Sequence, residues 1–352
     1  MERPLSSLSL VGGFVFDAIT LKRVDTFWEN FWIIAHLVGV AICIIFIHLT
    51  ENEAEDGLDA AKAHFWFLTA LQFFFGGLLS VFLVFYFRSG TLAASWPFLL
   101  MLAVAFIANE RLKKHYERLS FQISFFFLSI FSFAVFIVPV LAHEIGPAIF
   151  LLSGIASVVI ILVFILALGF FAKEKFKKSK KMIALSIGGI FVSLNLLYFL
   201  NLIPPIPLSL SDAGVYHALA RNADGNYAVL HENRGGGLKE FFDLYEDVHL
   251  VPGAPLYVYS AIFSPAELNT GVTHVWQHYD ETRRRWVTSS LIPLAVVGGR
   301  EAGFRTYSLK TGLRPGRWRV NVETSRGAII GRVNFKIVPV DTEPPLVQDI
   351  KK

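Results

Sequence analysis

The stretch IFLLSGIASVVIILVFILALGFFA, residues 149–172, decides the fold class because it contains no charged side chain. A helix needs about 20 apolar residues to cross a hydrocarbon core about 30 Å thick, since each residue adds about 1.5 Å. This stretch is long enough to cross. Over the whole chain of 352 residues, 54% are hydrophobic and the mean hydropathy is +0.53, values that are typical of a membrane protein.

Six apolar runs satisfy this length or nearly do so, and the 34 phenylalanines of the chain fit a lipid-facing surface. The third run is short and contains Pro97 near its start. We therefore predict a polytopic α-helical membrane domain at residues 31–203, with six crossings. They are Phe31–Leu49, Phe65–Phe87, Leu92–Ala108, Phe121–Leu141, Ile149–Ala172 and Met182–Leu202.

A shorter apolar stretch, Leu8–Ile19, precedes the six runs. As a helix its 12 residues would span only about 18 Å, and Asp17 interrupts it. Neither a strongly basic start nor a small-residue cleavage site accompanies it. We interpret residues 1–30 as an interfacial or re-entrant lead-in rather than a signal peptide.

Lysine and arginine are distributed unequally between the short loops. The loops after runs one, three and five contain 11 of them, including the run KEKFKKSKK at 173–181, whereas the N-terminal segment and the other two loops contain four. Because loops rich in these residues stay in the cytoplasm, we predict that both termini lie outside. The lysine run is interpreted as an anchor beside anionic lipid.

The pattern changes after the proline pair in NLIPPIPLSLSDAG, residues 201–214. Residues 204–213 are predicted to form a linker, and residues 346–352 a tail. Between them, at 214–345, apolar and polar residues alternate as in strands that are buried on one face. Many short antiparallel strands predict an all-β, sandwich-like domain.

The clearest alternation lies in the hairpin at 316–337. Trp318 is predicted to face the core together with Val320 and Val322, and Arg319 and Arg332 are predicted to face solvent. In the second strand of the hairpin, Ile329, Gly331, Val333, Phe335 and Ile337 are predicted to share one face, and Ile330 the other. Residues 237–247 predict a short helix or an irregular segment.

Several motifs in the C-terminal part resemble one family. They are His274 with Trp276, GGR at 298–300, FRTYS at 304–308, PGRWRV at 315–320 and GRVNFKIV at 331–338. The N-terminal segments at 12–25, 89–100 and 108–119 also resemble the membrane half of members. The chain is similar to the bacterial domain-of-unknown-function family 2914. The resemblance implies a bacterial inner-membrane protein with an extracytoplasmic (periplasmic) β-domain, and it implies no activity and no catalytic residue.

Arginines dominate the second part of the β-domain. Residues 283–332 contain eleven basic and two acidic residues, whereas residues 207–282 contain three and ten. Guanidinium forks suit phosphates and carboxylates, which an anionic lipid or glycan would offer. The alternative is that the acids of the first part pair with these arginines and cancel their field. The candidate anion-binding residues are Arg283, Arg284, Arg285, Arg300 and Arg305.

The histidines and aromatics of the β-domain admit two interpretations. On a strand, His274 and His278 would lie about 13 Å apart, too far for one metal ion. Their alternation favours a strand, so no metal site is expected. Four aromatic side chains could stack on a sugar, but their strand spacing favours a place in the core. They are Trp276, Trp286, Tyr307 and Trp318.

Polar side chains in and beside the apolar runs form a second set of candidates. An interfacial polar cluster of Asp17, Arg23, Asp25, His143 and Glu144 would suit acid–base chemistry at the lipid surface. For His143–Glu144 the alternative is a polar turn. Within the runs, His36 and Asn195 are predicted to hydrogen-bond to neighbouring helices, and His36 alternatively reaches towards the interface.

The sequence favours a non-enzymatic, multi-pass envelope protein whose β-domain binds or senses a ligand or a partner protein. Its predicted partners are membrane lipid and either an envelope protein or an anionic lipid or glycan. Nucleic acid is not expected, because the β-domain is predicted to face outward, and no cofactor or metal is expected. Two alternatives remain open, namely a membrane enzyme that acts on a lipid-linked substrate at the outer boundary and a small transporter.

Overall fold

The computed structural model describes residues 14–21, 26–50, 58–89, 92–111, 116–171, 173–205, 207–233, 245–264, 269–297 and 304–351. These residues divide between a helical unit that runs to Pro207 and a β unit that begins at Leu208. Arg23 and Asp25 of the predicted polar cluster, and Arg300 of the predicted anion site, lie outside the described residues.

Seven helices are found in the described part of the helical unit. The first, α1, covers residues 14–20 and lies within the predicted lead-in. The others are α2 Phe27–Thr50, α3 Leu58–Arg88, α4 Leu92–Arg111, α5 Leu119–Ala142, α6 Pro147–Phe171 and α7 Lys173–Phe199.

Five of the helices are long and apolar enough to cross a membrane. Their apolar spans are Phe27–Thr50, Ala61–Phe87, Leu119–Ala142, Pro147–Phe170 and Phe176–Phe199, which overlap five of the six predicted crossings. The helix at the remaining position, α4, contains Pro97, and its apolar part is the shorter stretch Ser95–Ile107. The five long apolar helices are thus confirmed, whereas their passage through a membrane and the sixth crossing stay predictions.

Helix α5 is the centre of the helical unit, since it packs against α2, α3, α6 and α7. Two-thirds of its apolar span, 67%, is buried within the protein. The neighbouring pair α2 and α3 approaches closely at two glycines. A Cβ on Gly39 would lie 2.7 Å from the Phe74 ring, and one on Gly77 would lie 2.9 Å from the His36 ring.

The lysine run differs from the prediction, because it is helical rather than a loop. Helix α7 begins at Lys173 and continues through the run without a break. Lysine is a good helix former, and the run contains neither glycine nor proline. The helix ends at Phe199, ahead of the proline pair, and Asn201 adopts a left-handed conformation with φ of 56°.

The described residues of the β unit form three sheets. A three-stranded sheet has the order β1-β5-β8, a five-stranded sheet the order β4-β10-β9-β6-β7, and another three-stranded sheet the order β11-β3-β2. The strands are β1 Ser209–Tyr216, β2 Ala218–Arg221, β3 Tyr227–Glu232, β4 Glu246–Leu250, β5 Leu256–Phe263, β6 Asn269–Asp280, β7 Arg285–Val297, β8 Phe304–Lys310, β9 Gly316–Thr324, β10 Ile329–Pro339 and β11 Leu346–Lys351.

The main core joins buried side chains of the five-stranded sheet and of the β1-β5-β8 sheet. Trp318 and Val320 of β9 are buried there as the alternation predicts, beside Trp276 of β6 and Phe335 of β10. From the other sheet Val258 of β5 belongs to the same cluster. Burying such side chains contributes about 1.5–3 kcal/mol each.

Three local predictions need correction. The five-stranded sheet is mixed rather than antiparallel, because β4 pairs with β10 in parallel. A register shift between Ile329 and Gly331 interrupts the predicted alternation, so that Ile330 is buried rather than exposed. The predicted linker at 204–213 contains the start of β1, and the predicted tail contains β11. Of the segment 237–247, residues 237–244 lie outside the described residues and the end belongs to β4.

Candidate functional site

The face of the five-stranded sheet that points away from the core carries the most distinctive set of polar contacts. Strand β9 alternates there, placing Arg317 and Arg319 opposite the buried Trp318. Arg319 is paired in register with Gln277 of β6 and with Asn334 of β10. We call Arg317, Arg319 and Arg332, together with Tyr279 and Trp286, the arginine face.

Arg319 is held by two neighbours. Its guanidinium carbon lies 4.3 Å from the centre of the Trp286 ring, a cation–π contact, and its Nε donates a hydrogen bond of 2.7 Å to Oε1 of Gln277. Burial, together with the smaller effect of the Arg332 charge, lowers the pKa of Arg319 to about 10. Arg319 is therefore a half-buried cation whose hydrogen-bond partner is a neutral amide.

Arg332 lies on β10 and is also half-buried. Its Nε donates a hydrogen bond of 2.6 Å to Oδ1 of Asn321, whose Nδ2 in turn donates to Oε1 of Glu323 over 2.9 Å. Burial lowers the pKa of Arg332, while the nearby charge of Glu323 opposes that shift. Asn321 thus connects this arginine to a carboxylate without a direct ion pair.

Arg317 is neutralised by a carboxylate. Its Nη2 lies 3.0 and 3.1 Å from the two carboxylate oxygens of Glu281, and its guanidinium lies 4.1 Å from the centre of the Tyr279 ring. The Glu281 hydrogen bonds raise the pKa of Arg317. This arginine fits the alternative interpretation, in which acids of the first part of the β-domain pair with arginines of the second.

Most strands of this face lie in one segment of the chain that matches a known protein family. Residues 269–337 match the family described as Protein of unknown function (DUF2914). The resemblance seen in the C-terminal motifs is thereby confirmed. The DUF2914 segment contains Arg317, Arg319 and Arg332, Tyr279 and Trp286, so the entire arginine face belongs to it.

Similarity to solved structures is weak. A β-glucosidase from Listeria innocua, in complex with gluconolactone, is 13% identical, with a TM-score of 0.19 over 32% of this chain and 16% of that chain. An alkylpurine DNA glycosylase, AlkC, from Pseudomonas fluorescens, bound to DNA containing an abasic site analog, is 9% identical, with a TM-score of 0.23 over 90% of this chain and 99% of that chain. The chain therefore spans only a small part of the glucosidase. No curated protein matches the chain.

The predicted anion-binding residues do not all share one place in the DUF2914 segment. Arg283, Arg284 and Arg285 lie together at the turn between β6 and β7, where all three are exposed. The Arg283 side chain forms an ion pair of 3.8 Å with Asp280, and its backbone N–H donates to the same carboxylate over 2.9 Å. Arg305 lies on β8, in a different sheet.

Arg305 contacts a different group of residues. Its Nη1 donates to Oδ1 of Asn226 over 3.0 Å and to the backbone oxygen of Lys351 over 3.3 Å. Its guanidinium also lies 6.0 Å from the Tyr227 ring centre. Arg305 therefore links β8 to the sheet formed by β11, β3 and β2.

The sequence presents His274 of the DUF2914 segment as a candidate metal ligand but does not predict its contacts in the core. His274 is 0% exposed and lies between two hydroxyls, with Nε2 at 2.8 Å from Oγ of Ser260 and Nδ1 at 2.8 Å from Oγ of Ser308. The indole N–H of Trp276 donates to the same Ser308 oxygen over 2.9 Å. Burial lowers the pKa of His274 to about 4, so the ring is neutral at pH 7.

The two histidines of β6 and the four candidate aromatic residues lie in different surroundings. His274 and His278 lie on strand β6, and the His278 ring lies 5.4 Å from the Trp318 ring. Among the described residues, no group of three or more His, Cys, Asp or Glu side chains is arranged to hold a metal ion. Trp276 and Trp318 are core residues. The Trp286 ring stacks on Arg319, and Tyr307 is 40% exposed.

A second cluster in the β unit joins three elements around Glu232. His249 donates to the two Glu232 carboxylate oxygens from its backbone N–H and from Nδ1, each over 2.6 Å. Nε2 of His217 lies 3.0 Å from Oε1. Burial raises the pKa of Glu232, but these hydrogen bonds outweigh it and the pKa is lowered overall. The cluster ties the end of β3 to β4.

In the helical unit, Asp17 lines a pocket of about 370 Å³ between α1, α2 and α3. Its Oδ2 accepts a hydrogen bond of 2.5 Å from the Ser80 hydroxyl. Burial raises the pKa of Asp17, and the Ser80 hydrogen bond opposes this shift. Glu29, Trp32 and His36 also line the pocket.

His36 has a defined tautomer in this pocket. Its Nδ1 lies 2.8 Å from the backbone oxygen of Trp32, and because a carbonyl only accepts, Nδ1 carries the hydrogen. In the neutral ring, Nε2 is then the proton acceptor. His36 therefore hydrogen-bonds within its own helix rather than to a neighbouring one, and the same is true of Asn195, whose Nδ2 donates to the backbone oxygen of Phe191 over 2.8 Å.

The predicted interfacial cluster is only partly brought together. Asp17 lies in the pocket, and His143 and Glu144 are not among the lining residues. His143 ends α5 in a left-handed conformation with φ of 54°, and the Glu144 N–H donates to the backbone oxygen of Pro139 over 3.3 Å. This geometry matches the polar turn that the sequence left open.

A buried amide and hydroxyl network connects α2, α3, α4 and α5. Gln122 donates from Nε2 to the backbone oxygen of Tyr116 over 2.5 Å, so its Oε1 accepts from Nε2 of His48 over 2.9 Å. The Tyr116 hydroxyl donates to Oδ1 of Asn109. Asn109 and Gln72 then exchange side-chain to backbone hydrogen bonds of 3.2 and 3.3 Å. Such bonds join helices in lipid.

Proposed function

We propose that this protein is a multi-pass protein of the bacterial inner membrane whose β unit binds or senses a ligand, or docks a partner, on the extracytoplasmic side. The single observation that carries the binding function is the arginine face. Two of its three cations, Arg317 and Arg319, are stacked on aromatic rings, and all three are turned away from the core, an arrangement that the packing of the sheet does not require. Lipid is the partner of the helical unit.

The proposed topology has three parts. Five long apolar helices are present, and in this topology α4 supplies the sixth crossing. At 20 residues α4 is about 30 Å long, which equals the thickness of the hydrocarbon core. The lysine-rich start of α7 stays in the cytoplasm, which leaves the β unit outside. There, the β1-β5-β8 and five-stranded sheets form the two layers of a sandwich around their common core.

Cysteine labelling tests this topology with little background, because Cys43 is the one cysteine of the chain and is buried in α2. In a Cys43→Ser chain, Asp341→Cys and Lys177→Cys each introduce one exposed thiol. A membrane-impermeant maleimide should label Asp341→Cys in intact cells, and Lys177→Cys only after permeabilisation. The reverse pattern would reject the extracytoplasmic β unit, and labelling of both in intact cells would place α7 differently.

The binding function is tested with the full-length chain purified in a neutral detergent. It is applied to arrays of anionic lipids, acidic glycans and envelope proteins, at low and at physiological ionic strength. We expect binding to at least one anionic class that weakens with salt, because exposed charges are screened. The exposed block Arg283, Arg284 and Arg285 stays a predicted contact, and its triple glutamine variant is one arm. Binding to none of these classes would remove the proposed function.

A second candidate function is a membrane enzyme that acts on a lipid-linked substrate. The observation that favours it is the pocket that holds Asp17 beside His36, a carboxyl group and an imidazole with a proton-accepting nitrogen. Its test is incubation of the purified chain with a total polar lipid extract, followed by mass spectrometry. Conversion of a lipid that disappears in Asp17→Asn but persists in His143→Gln would support it, and an unchanged extract would reject it.

A further inference from the structure

Two arginines of the arginine face are close neighbours on adjacent strands. In the register of β9 and β10, Arg332 is paired with Asn321 and Arg319 with Asn334, so the two arginines are diagonal neighbours on the same face. Diagonal positions across a strand pair lie about 7–8 Å apart, within reach of long side chains. The lowering of the Arg319 pKa by the charge of Arg332 reflects this closeness.

The hydrogen bonds of the pair leave its charge uncompensated. Each Nε donates to the oxygen of a neutral amide, Gln277 for Arg319 and Asn321 for Arg332. Within the part of the chain that the structure describes, neither guanidinium belongs to an ion pair of 4.0 Å or less. Buried or half-buried charges are normally paired, because water no longer solvates them fully.

Counting the charged groups of this face gives the charge that a ligand must supply. Arg317 is balanced by Glu281, and Lys336 on β10 is paired in register with Asp247 of β4. The carboxylate of Glu323 lies near both members of the pair and opposes the lowering of their pKa values. Two cations and one carboxylate remain, a net charge of +1.

The neighbouring groups hold the arginines in place before any ligand arrives. Trp286 stacks on Arg319, and it is itself braced edge-on by Tyr279 with ring centres 5.3 Å apart. Asn321 is buried and fixes Arg332. Because Nε of each arginine is engaged in these contacts, a ligand would use the terminal Nη groups. A fork of this kind suits an oxyanion, which accepts two parallel N–H bonds.

We propose that Arg319 and Arg332 form a binding site for a singly charged oxyanion, of the kind carried by a phosphodiester or a sugar carboxylate. The site deepens the proposed function and rests on it, since it names the group that the β unit recognises. It differs from the exposed block at Arg283–Arg285, which lies at a turn and of which Arg283 already contacts Asp280. A singly charged anion would complete the charge balance of the face.

The test is isothermal titration of the full-length chain in a neutral detergent, at low ionic strength, with two soluble probes. Glycerophosphoglycerol supplies a phosphodiester, and glucuronate supplies a carboxylate. We expect at least one probe to bind, and Arg319→Gln and Arg332→Gln each to weaken that binding at least tenfold. The control is Arg314→Gln, which removes one exposed positive charge of the same unit and should change the affinity less than twofold.

A measurement on the unaltered chain guards against variants that fold poorly. Hydrogen exchange resolved by peptide should show that the bound probe protects β9 and β10 more than β5 and β8. Whichever probe binds identifies the source of the oxyanion.

Failure of both probes to bind, or binding that survives both substitutions, would overturn the site. If the Arg283–Arg285 triple variant loses binding while Arg319→Gln and Arg332→Gln keep it, the site is overturned but the proposed function of the β unit is not. If the chain also binds nothing on the lipid, glycan and protein arrays, both the site and the proposed function are rejected.

Discussion

We expect the β unit to lose stability between pH 6.5 and about pH 4 because of one residue, His274. The imidazole is fully buried, and its partners are the hydroxyls of Ser260 and Ser308 rather than a carboxylate. A neutral ring donates to one hydroxyl and accepts from the other. A protonated ring loses the bond it accepts and places a charge in the core with no counter-ion, so burial lowers the pKa of His274 from 6.5 to about 4.

The sign and size of the effect follow from this difference in pKa. The unfolded chain takes up a proton near pH 6.5, whereas the folded chain takes it up near pH 4. The stability is fully present above pH 6.5 and is lost progressively as the pH falls to about 4. A difference of about 2.5 pKa units, at about 1.4 kcal/mol each, gives a total loss of about 3–4 kcal/mol, of which about 3 kcal/mol is reached by pH 4. A typical domain has only about 5–15 kcal/mol.

The assay is hydrogen exchange of the full-length chain in detergent, resolved by peptide and corrected for the intrinsic pH dependence of exchange. The opening free energy of the core strands β5, β6 and β9 should fall by about 3 kcal/mol from pH 7 to pH 4. His274→Leu should be less stable at pH 7, because two buried hydroxyls lose a partner, but its stability should not change over this pH interval. His231→Gln, at a partly buried histidine elsewhere, should keep the slope.

A flat profile in the unaltered chain would refute the reasoning, because it would mean that the protonated ring finds a partner or water. A slope that persists in His274→Leu would assign the pH dependence to another group. Glu232 has a lowered pKa, so its contribution is present above pH 4.5 and is lost at lower pH than that of His274. The two groups are therefore separable along the pH axis.

Three further substitutions probe the packing of the β unit, each measured by chemical or thermal unfolding of the full-length chain against the unaltered protein. Gly331→Ala should destabilise it by about 1–3 kcal/mol, because a Cβ there would overlap the Leu210 side chain. Phe335→Ala should cost about 3–5 kcal/mol, since the ring is completely buried, and a loss below 1 kcal/mol would contradict its place in the core. Glu232→Gln should cost about 1–3 kcal/mol, because one amide oxygen cannot accept every hydrogen bond that the carboxylate receives from His249 and His217. Equal stability of this variant would show that those hydrogen bonds are dispensable.

The helices that could be predicted from the sequence are those whose apolar length is decisive by itself. A continuous run such as Ile149–Ala172 has few alternatives in lipid, because every backbone group must be satisfied within the helix. The sequence predicts a loop at the lysine run, because the apolar residues of the preceding run end there. A charged helix outside the hydrocarbon costs little, so α7 starts at Lys173. Helix α4 cannot be assigned as a crossing from length and apolarity alone, because its apolar part is only Ser95–Ile107.

For the strands, the burial of side chains could be predicted from the local sequence, but the pairing with distant strands could not. Alternation correctly predicted that Trp318, Val320 and Val322 are buried, because a strand exposes every second side chain to the same face. It failed at the register shift between Ile329 and Gly331, which depends on the neighbouring strand. The parallel pairing of β4 with β10 joins segments about 90 residues apart, and alternation contains no information on such partners.

At the candidate site, alternation correctly predicted that Arg319 and Arg332 point away from the core. It also predicted that they are exposed to solvent, whereas both are half-buried. Solvent exposure of an arginine depends on what its neighbours on the adjacent strands offer, and here these are Trp286, Gln277 and Asn321. Long side chains bury their stems against such neighbours. Partial burial is therefore a property of the sheet rather than of the strand.

The same reasoning explains why a run of arginines along the chain is a weaker sign of a binding site than two arginines that meet across strands. Arg283, Arg284 and Arg285 follow one another around a turn, so their side chains diverge and water solvates each of them. Arg319 and Arg332 are thirteen positions apart in the chain, yet the hairpin register makes them neighbours on one face. Only the second arrangement concentrates charge where solvation is reduced, and reduced solvation is what makes an oxyanion a favourable partner.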